Sequence, residues 1–411
     1  MAKYRDEDYK EYEEERVAPK KKKPSGSGSG SKKSSSKKSS GHSSSSGSHK
    51  SSGKKSGKKS SKKAQAKKQR RRIIIFIIEI IILVIAVLVL FSVMSGTKSG
   101  KLDLDEADII INEQVKEAEE TTMKGYRNIA LFGVDSTTGA LTKNTRSDTI
   151  MIASINQDTG ECKLVSIYRD TYLNLSNDSY NKCNAAYAKG GPEMAISMLN
   201  MNLDLNITDF VTVGFAGLTD TIDALGGVNI DVDDSEISHL NNYQLCIAED
   251  LKRSYTPVTT TGYQLLDGLQ ATGYCRIRYT AGDDFKRAER QREVLSAVAD
   301  QAKKASLPQL TETANSVFDE VYTSLDLSEI VTMLGEVGNY YISDTAGFPQ
   351  ESNRVNAKIG SKGDCVIPIN LEDNVKWLHE FLFDDTSYEP SETVKACSEQ
   401  IYSETNGYIK K

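Results

Sequence analysis

Hydrophobic positions along this chain form one very long apolar run and many short ones. Residues 73–94 are almost wholly Ile, Leu and Val, while the apolar runs after residue 125 have the length of strands or the spacing of helices. An apolar run of about 20 residues matches the hydrocarbon core of a bilayer, so residues 73–94 are predicted to form a transmembrane helix. The interleaved strands and helices beyond it predict an α/β domain whose sheet is sandwiched between helices.

The stretch from 146 to 171 is predicted to be a β-hairpin. Ile150 to Ile155 and Lys163 to Ile167 are apolar at strand length, and the sequence Asn-Gln-Asp-Thr-Gly between them is typical of a turn. Folding about this turn would place Arg146 roughly opposite Arg169. Arg-Ser-Asp and Arg-Asp-Thr would then share one rim, where arginines suit a phosphate or pyrophosphate and spare carboxylates suit a divalent metal.

Asp135 ends the first predicted strand. The sequence NIALFGVD at 128–135 is apolar up to this residue, and ligands collect at the C-terminal edges of strands in α/β sheets. The same periodicities predict the remaining elements. Strands are predicted at 210–214 and 228–232, and helices at 184–188, 192–203, 218–225, 284–302, 311–321, 327–337 and 371–383.

Two later segments add further charged residues. The sequence LDGLQATGYCRIR begins as a helix and ends with Arg276 and Arg278, which share one face and can address one phosphate group if this end is extended. On the long helix predicted after it, Asp284, Arg287 and Gln291 are three and four residues apart and share one face. Together with the hairpin, these segments predict an anion-binding site.

These charged groups could also be ordinary ion pairs. Arg-Asp pairs at strand ends and charged helix faces are common, and most of them are structural. Beyond residue 94, however, seven of the ten arginines fall within the hairpin or between Arg276 and Arg292, in a region that is otherwise acidic. This concentration favours the anion site over the structural alternative.

Composition sets the first quarter of the chain apart. Residues 17–72 are almost wholly Ser, Gly and Lys and cannot bury enough apolar surface to offset chain entropy, so residues 1–72 are predicted to be a disordered tail. Seven basic residues lie between 62 and 72, which places this tail in the cytoplasm and predicts a single-pass type II topology. A cleaved signal peptide is the alternative, but 72 residues precede the apolar run and no clear cleavage site follows it.

Several other classes of protein lack support in the sequence. The basic tail has no interleaved aromatic residues and adjoins a membrane, which favours membrane lipid over nucleic acid as its partner. All six cysteines follow the apolar run without any CxxC spacing, so structural zinc is disfavoured and disulfides cannot be assigned. Only His239 and His379 lie beyond the run, and neither HExxH nor GxSxG occurs there, which disfavours zinc peptidases and α/β-hydrolases.

Seven sequence blocks, in order, resemble one family. They are NIALFGVD, RSDT, SIYRDT, KCNAAYAKGG, DALGGVNIDV, LDGLQATGYCRIR and DFKRAERQR. Together they resemble the LytR-CpsA-Psr family. The resemblance implies an α/β/α sandwich with a central mixed sheet, whose apolar interior receives a polyprenyl tail. Residues 102–123 are acidic with scattered apolar positions, so 95–123 are expected to form an extracellular spacer, followed by a catalytic domain at 124–385 and a C-terminal extension at 386–411.

Members of this family look like membrane-anchored phosphotransferases of a Gram-positive-type envelope. They are expected to move a glycopolymer, such as teichoic acid or a capsule-like polysaccharide, from an undecaprenyl-pyrophosphate carrier to a hydroxyl of peptidoglycan. The resemblance also implies Mg²⁺ or Mn²⁺ as the cofactor. Phosphoryl transfer depends mainly on charge neutralisation and in-line positioning, which an arginine cluster with a metal can supply.

The family's functional positions can be matched residue by residue. Asp135 and Asp148 match its metal-associated aspartates, and with Arg146 and Arg169 they form the expected catalytic group. The residues that match its pyrophosphate-binding positions are Arg146, Arg169, Arg276, Arg278, Arg287 and Gln291. The expected supporting residues are Asp170, Asp284 and Arg290.

Two residues depart from the family pattern. Tyr168 stands where Pro is usual and Lys286 where Gly is frequent, and both departures bear on loop shape. The main rival function is a non-catalytic, polyprenyl-phosphate-binding or regulatory envelope protein. Asp135 and Asp148 favour the enzyme, because a lipid holder needs the arginines but no metal site. A wall hydrolase would need a paired acid and nucleophile, for which the sequence gives no support.

Overall fold

The computed structural model describes residues 101–102, 104, 108–136, 141–142, 144–278, 280 and 282–409. The predicted tail, residues 1–72, and the predicted transmembrane helix, residues 73–94, lie outside these ranges. Within them, no helix combines the length and the apolar character that crossing a bilayer requires. The structure therefore describes the domain that follows the predicted span.

Six strands of this domain form one central sheet, and three two-stranded sheets flank it. The strands are β1 (Tyr126–Val134), β2 (Ser147–Asn156), β3 (Glu161–Ile167), β4 (Tyr172–Asn174), β5 (Tyr180–Lys182), β6 (Asp209–Val213), β7 (Val228–Val232), β8 (Gly262–Leu266), β9 (Val321–Thr323), β10 (Tyr341–Phe348), β11 (Arg354–Lys358) and β12 (Asp364–Pro368). The order in the central sheet is β10-β3-β2-β1-β6-β9. Strand β1 is antiparallel to β2 but parallel to β6, which confirms the expected mixed sheet.

Helices cover both faces of this sheet. They are α1 (Glu113–Glu119), α2 (Asn184–Leu203), α3 (Phe215–Ala224), α4 (Asp234–Leu251), α5 (Gly268–Tyr274), α6 (Asp283–Ala302), α7 (Leu307–Val317), α8 (Leu327–Gly335), α9 (Leu371–Phe383) and α10 (Glu392–Thr405). Successive side chains of a strand point to opposite faces. On β3, Val165 and Ile167 therefore join the main core with α2, α9 and α10, while Leu164 packs against Leu295 of α6. The α/β/α sandwich is confirmed.

Helix α2 joins two helices that the sequence predicts separately. Gly191 interrupts it with φ 69°, a left-handed conformation that favours glycine, and Pro192 follows. Proline has no backbone N–H to continue the hydrogen-bond ladder, so the helix kinks here. A side chain at position 191 would also come within 2.8 Å of the Thr142 carbonyl oxygen. Glycine at this position therefore leaves room for the backbone of Thr142 beside α2.

Residues 108–123 of the predicted spacer pack within the domain. Ile109, Val115 and Met123 are buried in the main core, because their apolar side chains find a partner surface there. Lys101 pairs with Thr323 of strand β9. The predicted C-terminal extension joins the same core through Val394, Cys397 and Ile401 of α10. None of the six cysteines, all of which are described, forms a disulfide.

A second hydrophobic cluster supports the loop between α5 and α6. Strand β7 was predicted, but it pairs with β8 instead of joining the central sheet. Helix α4, which was not predicted, begins with a capping box in which Asp233 and Glu236 satisfy each other's backbone N–H groups. Their shared cluster includes Ile230, Leu240 and Ile277. Ile277 therefore anchors the segment that carries Arg276 and Arg278.

Candidate active site

The hairpin β2–β3 brings Asp148 and Arg169 together. Its ladder pairs Met151 with Ser166, and continuing this register by three residues places Asp148 opposite Arg169. Arg169 Nη1 donates to Asp148 Oδ1 at 2.8 Å. The prediction that Arg146 lies opposite Arg169 was therefore wrong by two residues.

The turn of this hairpin lies on the residues where it was predicted. Asn156 Oδ1 accepts hydrogen bonds from the backbone N–H groups of Asp158 and Thr159, at 3.0 and 3.1 Å, and Gly160 closes the turn with φ 76°. The ladder pairs Ile155 with Cys162, so it is centred between Asp158 and Thr159. This register gives Arg169 a partner two residues later than Arg146.

Arg278 and Arg287 complete a cluster around Asp148. Arg278 Nη2 lies 3.3 Å from Asp148 Oδ2, and Arg287 Nη2 donates to the Asp148 carbonyl oxygen at 3.1 Å. Asp284 lies 3.4 Å from Arg169, 3.5 Å from Arg278 and 3.4 Å from Arg287. Three guanidiniums thus share two carboxylates, a formal net charge of +1. These five residues are called the arginine–aspartate cluster below.

The pKa values in the cluster reflect crowding of like charges. Burial opposes ionisation of Asp148, but Arg169, Arg287 and Arg278 outweigh it and hold its pKa below the usual 3.8. Desolvation likewise raises the pKa of Asp284, but the same three arginines outweigh it and lower this pKa below 3.8. Burial and the charges of Arg169 and Arg278 lower the pKa of Arg287 to about 10. A further anion beside Arg287 would relieve this repulsion, so the cluster is suited to bind one.

Arg276 lies outside the cluster, and its charge acts on Asp135, whose pKa it lowers against desolvation. The chain still turns at the end of α5, where the Arg276 N–H donates to the Gly273 carbonyl oxygen at 3.1 Å, so this segment is not extended. The Arg276 guanidinium lies over the rings of Phe215 and Tyr243, 4.3 and 5.3 Å from their centroids. The extended backbone on which the shared face of Arg276 and Arg278 depended is therefore absent from this segment.

Asp135 and Arg146 lie at the exposed rim. Asp135 directly follows β1, and desolvation by the surrounding protein raises its pKa. Arg276 counteracts this shift, while the negative charge of Asp148 adds to it. Arg146 is exposed, directly before the first residue of β2. It is therefore available to a ligand at the rim.

The remaining predicted residues have different positions. Gln291 donates to the Cys275 carbonyl oxygen at 3.4 Å. Asp170 lies 3.1 Å from Lys182 Nζ and 3.6 Å from Arg169 Nε. Arg290 is buried behind the site. Of these three residues, only Gln291 and Asp170 line the cavity described next.

A cavity of about 370 Å³ opens beside the arginine–aspartate cluster. Asp148, Arg169, Asp284 and Arg287 line its charged side, and its apolar lining includes Ile150, Ile167, Ala288 and Val366. The hairpin β11–β12 contributes Asn356 and Asp364 to the far wall. Binding sites for small molecules typically combine an apolar lining with a few polar groups that fix orientation. This cavity suits an amphiphile with an anionic head group.

Sequence reasoning missed the aromatic wall of this cavity. The Tyr168 and Phe285 rings both line it and meet edge-on, with centroids 4.6 Å apart. The Arg354 guanidinium covers both rings, 4.9 Å from the centroid of Tyr168 and 3.9 Å from that of Phe285. Tyr168 and Phe285 lie within matched blocks, which was a usable signal. Arg354 lies far from any block, and no pattern marks it.

The residues present fit a divalent metal only in part. No group of three or more His, Cys, Asp or Glu side chains suited to a metal occurs among the described residues. Asp135 is exposed, and its pKa responds to the charge of Asp148, so a cation between the two would relieve repulsion. Each oxygen of Asp148 faces an arginine, but a carboxylate oxygen has two lone pairs. Mg²⁺ is commonly held by one or two carboxylates together with substrate phosphates and water. The donor set fits that shared arrangement.

Residues 92–357 match the model of the LytR_cpsA_psr family, which covers more than half of the chain. A match of this length, with the blocks in order and their charged residues at one site, defines the class of protein. The chain belongs to the LytR_cpsA_psr family.

Two curated relatives differ in their described roles. The chain is 30% identical over 279 residues to the polyisoprenyl-teichoic acid–peptidoglycan teichoic acid transferase TagU of Oceanobacillus iheyensis, covering 61% of this chain and 78% of that protein. It is 26% identical over 294 residues to biofilm regulatory protein A of Streptococcus mutans, covering 63% and 70%. Among solved structures, Bacillus subtilis TagV matches with a TM-score of 0.51 at 25% identity, covering 65% of this chain and 99% of that one. This likeness supports the α/β fold.

Proposed function

We propose that this protein is a phosphotransferase that moves a glycopolymer from an undecaprenyl-pyrophosphate carrier to peptidoglycan. The observation that carries the proposal is the convergence of Arg169, Arg278 and Arg287 on Asp148 and Asp284 at the mouth of a partly apolar cavity. The similarity to TagU of Oceanobacillus iheyensis supports the reaction class, with teichoic acid or a capsule-like polysaccharide as the cargo.

In this reaction, an acceptor hydroxyl forms a bond to the phosphorus that carries the polymer. The bond between this phosphorus and the bridging oxygen of the pyrophosphate breaks, the carrier leaves as a monophosphate, and the hydroxyl loses its proton. Negative charge grows on the leaving phosphate. Arg169 and Arg287 line the cavity and can neutralise that charge, because preorganised donors stabilise charge that develops in the transition state. Arg146 and Arg276 at the rim would hold the outer phosphate.

Asp148 and Asp284 orient the arginines in this arrangement. Without these carboxylates, three guanidiniums would repel one another and swing apart. Gln291 and Asp170 also line the cavity and offer uncharged and charged hydrogen-bonding groups beside the phosphates. Asp135 and Asp148 would hold Mg²⁺ or Mn²⁺. When bound, the metal supplies positive charge that neutralises phosphate oxygens.

The proposed location follows from the sequence. Residues 73–94 would anchor the protein in the cell membrane with residues 1–72 in the cytoplasm, and the domain would act outside, where peptidoglycan lies. This topology brings the cavity within reach of membrane-embedded lipid carriers. Nucleic acid has no place in the proposed reaction.

A non-catalytic, lipid-binding or regulatory role is the second candidate. The similarity to biofilm regulatory protein A of Streptococcus mutans favours it, as does the partial metal site. The two candidates differ in turnover. A lipid holder would bind polyprenyl pyrophosphates stoichiometrically, whereas a transferase would consume the donor and release polyprenyl monophosphate.

Mass spectrometry of a reconstituted reaction would test the proposal. Full-length protein in detergent would be incubated with Mg²⁺, peptidoglycan fragments and a synthetic polyprenyl-pyrophosphate-linked saccharide. We expect a phosphodiester-linked adduct, and we expect Arg287→Gln to abolish it. Arg253→Gln is the matched control, because Arg253 pairs with Asp220 and does not line the cavity. Tight donor binding without any adduct would support the regulatory candidate instead.

A further inference from the structure

Arg290 of helix α6 is a buried cation behind the site. Its side chain is 1% exposed, and its Nε donates to Glu236 Oε1 at 2.7 Å. Neither residue lines the cavity. Replacing a buried ion pair by apolar residues of similar size is often neutral or stabilising, so stability alone is a weak explanation for this pair.

The other two bonds of Arg290 reach the loop between α5 and α6. Its Nη1 donates to the Ile277 carbonyl oxygen at 3.2 Å, and its Nη2 donates to Thr280 Oγ1 at 2.6 Å. Ile277 lies between Arg276 and Arg278, so its backbone sets the direction of both side chains. The rigid guanidinium of Arg290 therefore fixes, by two hydrogen bonds, the segment that carries Arg276 and Arg278.

Glu236 is itself fixed at its other oxygen. Its Oε2 accepts a hydrogen bond from the Asp233 N–H at 2.9 Å, which is half of the capping box that begins helix α4. The carboxylate that holds Arg290 is thus tied to the end of an 18-residue helix. Ile277 is also buried in the hydrophobic cluster that contains Leu240 of this helix. The loop is held from the α4 side by charge and by packing.

We propose that Glu236 and Arg290 are positioning residues that hold Arg276 and Arg278 in place to bind a pyrophosphate group. The inference rests on the proposed function for the identity of the anion. Neither residue touches the substrate in this proposal. They act on the two arginines through the Ile277 carbonyl and the Thr280 hydroxyl. This effect can be measured as the affinity for pyrophosphate, in the absence of any transfer reaction.

Calorimetric titration with inorganic pyrophosphate would test the proposal on the full-length protein in detergent. Arg290→Lys keeps the charge beside Glu236 but cannot donate to Ile277 and Thr280 together, so we expect the Kd to rise about tenfold, the effect of a lost charge-assisted hydrogen bond. Thr280→Val keeps the shape and removes one acceptor, so we expect a rise of about threefold. Arg253→Lys alters an ion pair elsewhere, with Asp220, and should leave the Kd within twofold of wild type.

The melting temperature of each variant separates positioning from stability. A folded Arg290→Lys protein with an unchanged Kd would overturn the proposal, as would wild-type protein that does not bind pyrophosphate. If the Arg290→Lys protein does not melt cooperatively, the Thr280→Val protein provides the test instead. An unchanged Kd for pyrophosphate in that variant would overturn the proposal. If the wild type and its variants show the expected pattern of affinities but the wild type transfers no polymer, the proposed function is refuted and the positioning role stays intact.

Discussion

Replacing Asp148 by Asn isolates the charge at the centre of the site. Asn keeps the shape of the side chain and can still accept a hydrogen bond from Arg169, but it removes the negative charge that faces Arg169 and Arg278 at 2.8 and 3.3 Å. The Asp148 side chain is 28% exposed. The expected cost lies between that of an exposed pair, up to about 1 kcal/mol, and that of a broken buried pair, about 3–5 kcal/mol. We therefore expect a loss of about 2 kcal/mol and a melting temperature lowered by roughly 4 °C.

The functional effect of Asp148→Asn should be much larger than its effect on stability. The formal charge of the arginine–aspartate cluster rises from +1 to +2, so pyrophosphate should bind at least as tightly as to wild type. Transfer of polymer to peptidoglycan in the proposed reaction should nevertheless fall by about 100-fold to 1000-fold, because the arginines lose the carboxylate that orients them and the proposed metal loses a ligand.

The assay compares polymer transfer at several Mg²⁺ concentrations with melting temperature and pyrophosphate affinity. Asp158→Asn is the matched control, since Asp158 lies in the turn at the other end of the same hairpin and is exposed. The pH dependence gives a second readout. The pKa of Asp148 is lower in the folded protein, so its stabilisation is complete above 3.8 and is lost as the pH falls through the folded value. A well-folded Asp148→Asn protein with transfer within threefold of wild type would refute both assigned roles.

Three further predictions concern stability. Burial lowers the pKa of His379 from 6.5 to about 4, so the free energy of unfolding should fall by about 2–3 kcal/mol as the pH drops from 6.5 to 4. In chemical denaturation, His379→Gln should reduce this dependence of the free energy of unfolding on pH. Gly347→Ala should lower the melting temperature by several degrees because its Cβ would meet the Tyr168 ring, whereas Gly335→Ala should not, since nothing lies within 4 Å of its Cβ. Deleting residues 386–411 should abolish cooperative melting, as it uncovers the core beneath α10; an unchanged melt would contradict this.

The sequence predicted the elements whose periodicity was strong. Strand β7 and helix α9 match the predicted bounds, and the hairpin β2–β3 was identified from its apolar runs and turn residues. Helix α4 was missed because two of its five buried positions, Glu236 and Gln244, are polar, which weakens the apolar periodicity. The packing of residues 108–123 was not predicted, because three buried side chains, Ile109, Val115 and Met123, are too few to give a clear pattern.

The sequence predicted which residues belong to the candidate site but not which of them contact one another. Side chains distant in sequence meet only through tertiary packing, so Arg278, Arg287 and Asp284 could be grouped with Asp148 by family resemblance but not paired. The turn residues were predicted, but the register that makes Asp148 the partner of Arg169 could not be read from them. Glu236 carries no recognisable motif beyond a helix cap, although its contact with Arg290 fixes the loop of the site.

The fate of the two phosphates of the donor tests the proposed transfer most directly. A polyprenyl-pyrophosphate-linked saccharide would be prepared with ³²P only in the phosphate next to the sugar, and incubated with the full-length protein, Mg²⁺ and peptidoglycan. A phosphotransferase predicts that the label appears in peptidoglycan in step with the release of unlabelled polyprenyl monophosphate, and that neither product forms with Arg287→Gln. Label that stays with the lipid while the donor remains bound would contradict the proposal and identify the protein as a lipid holder.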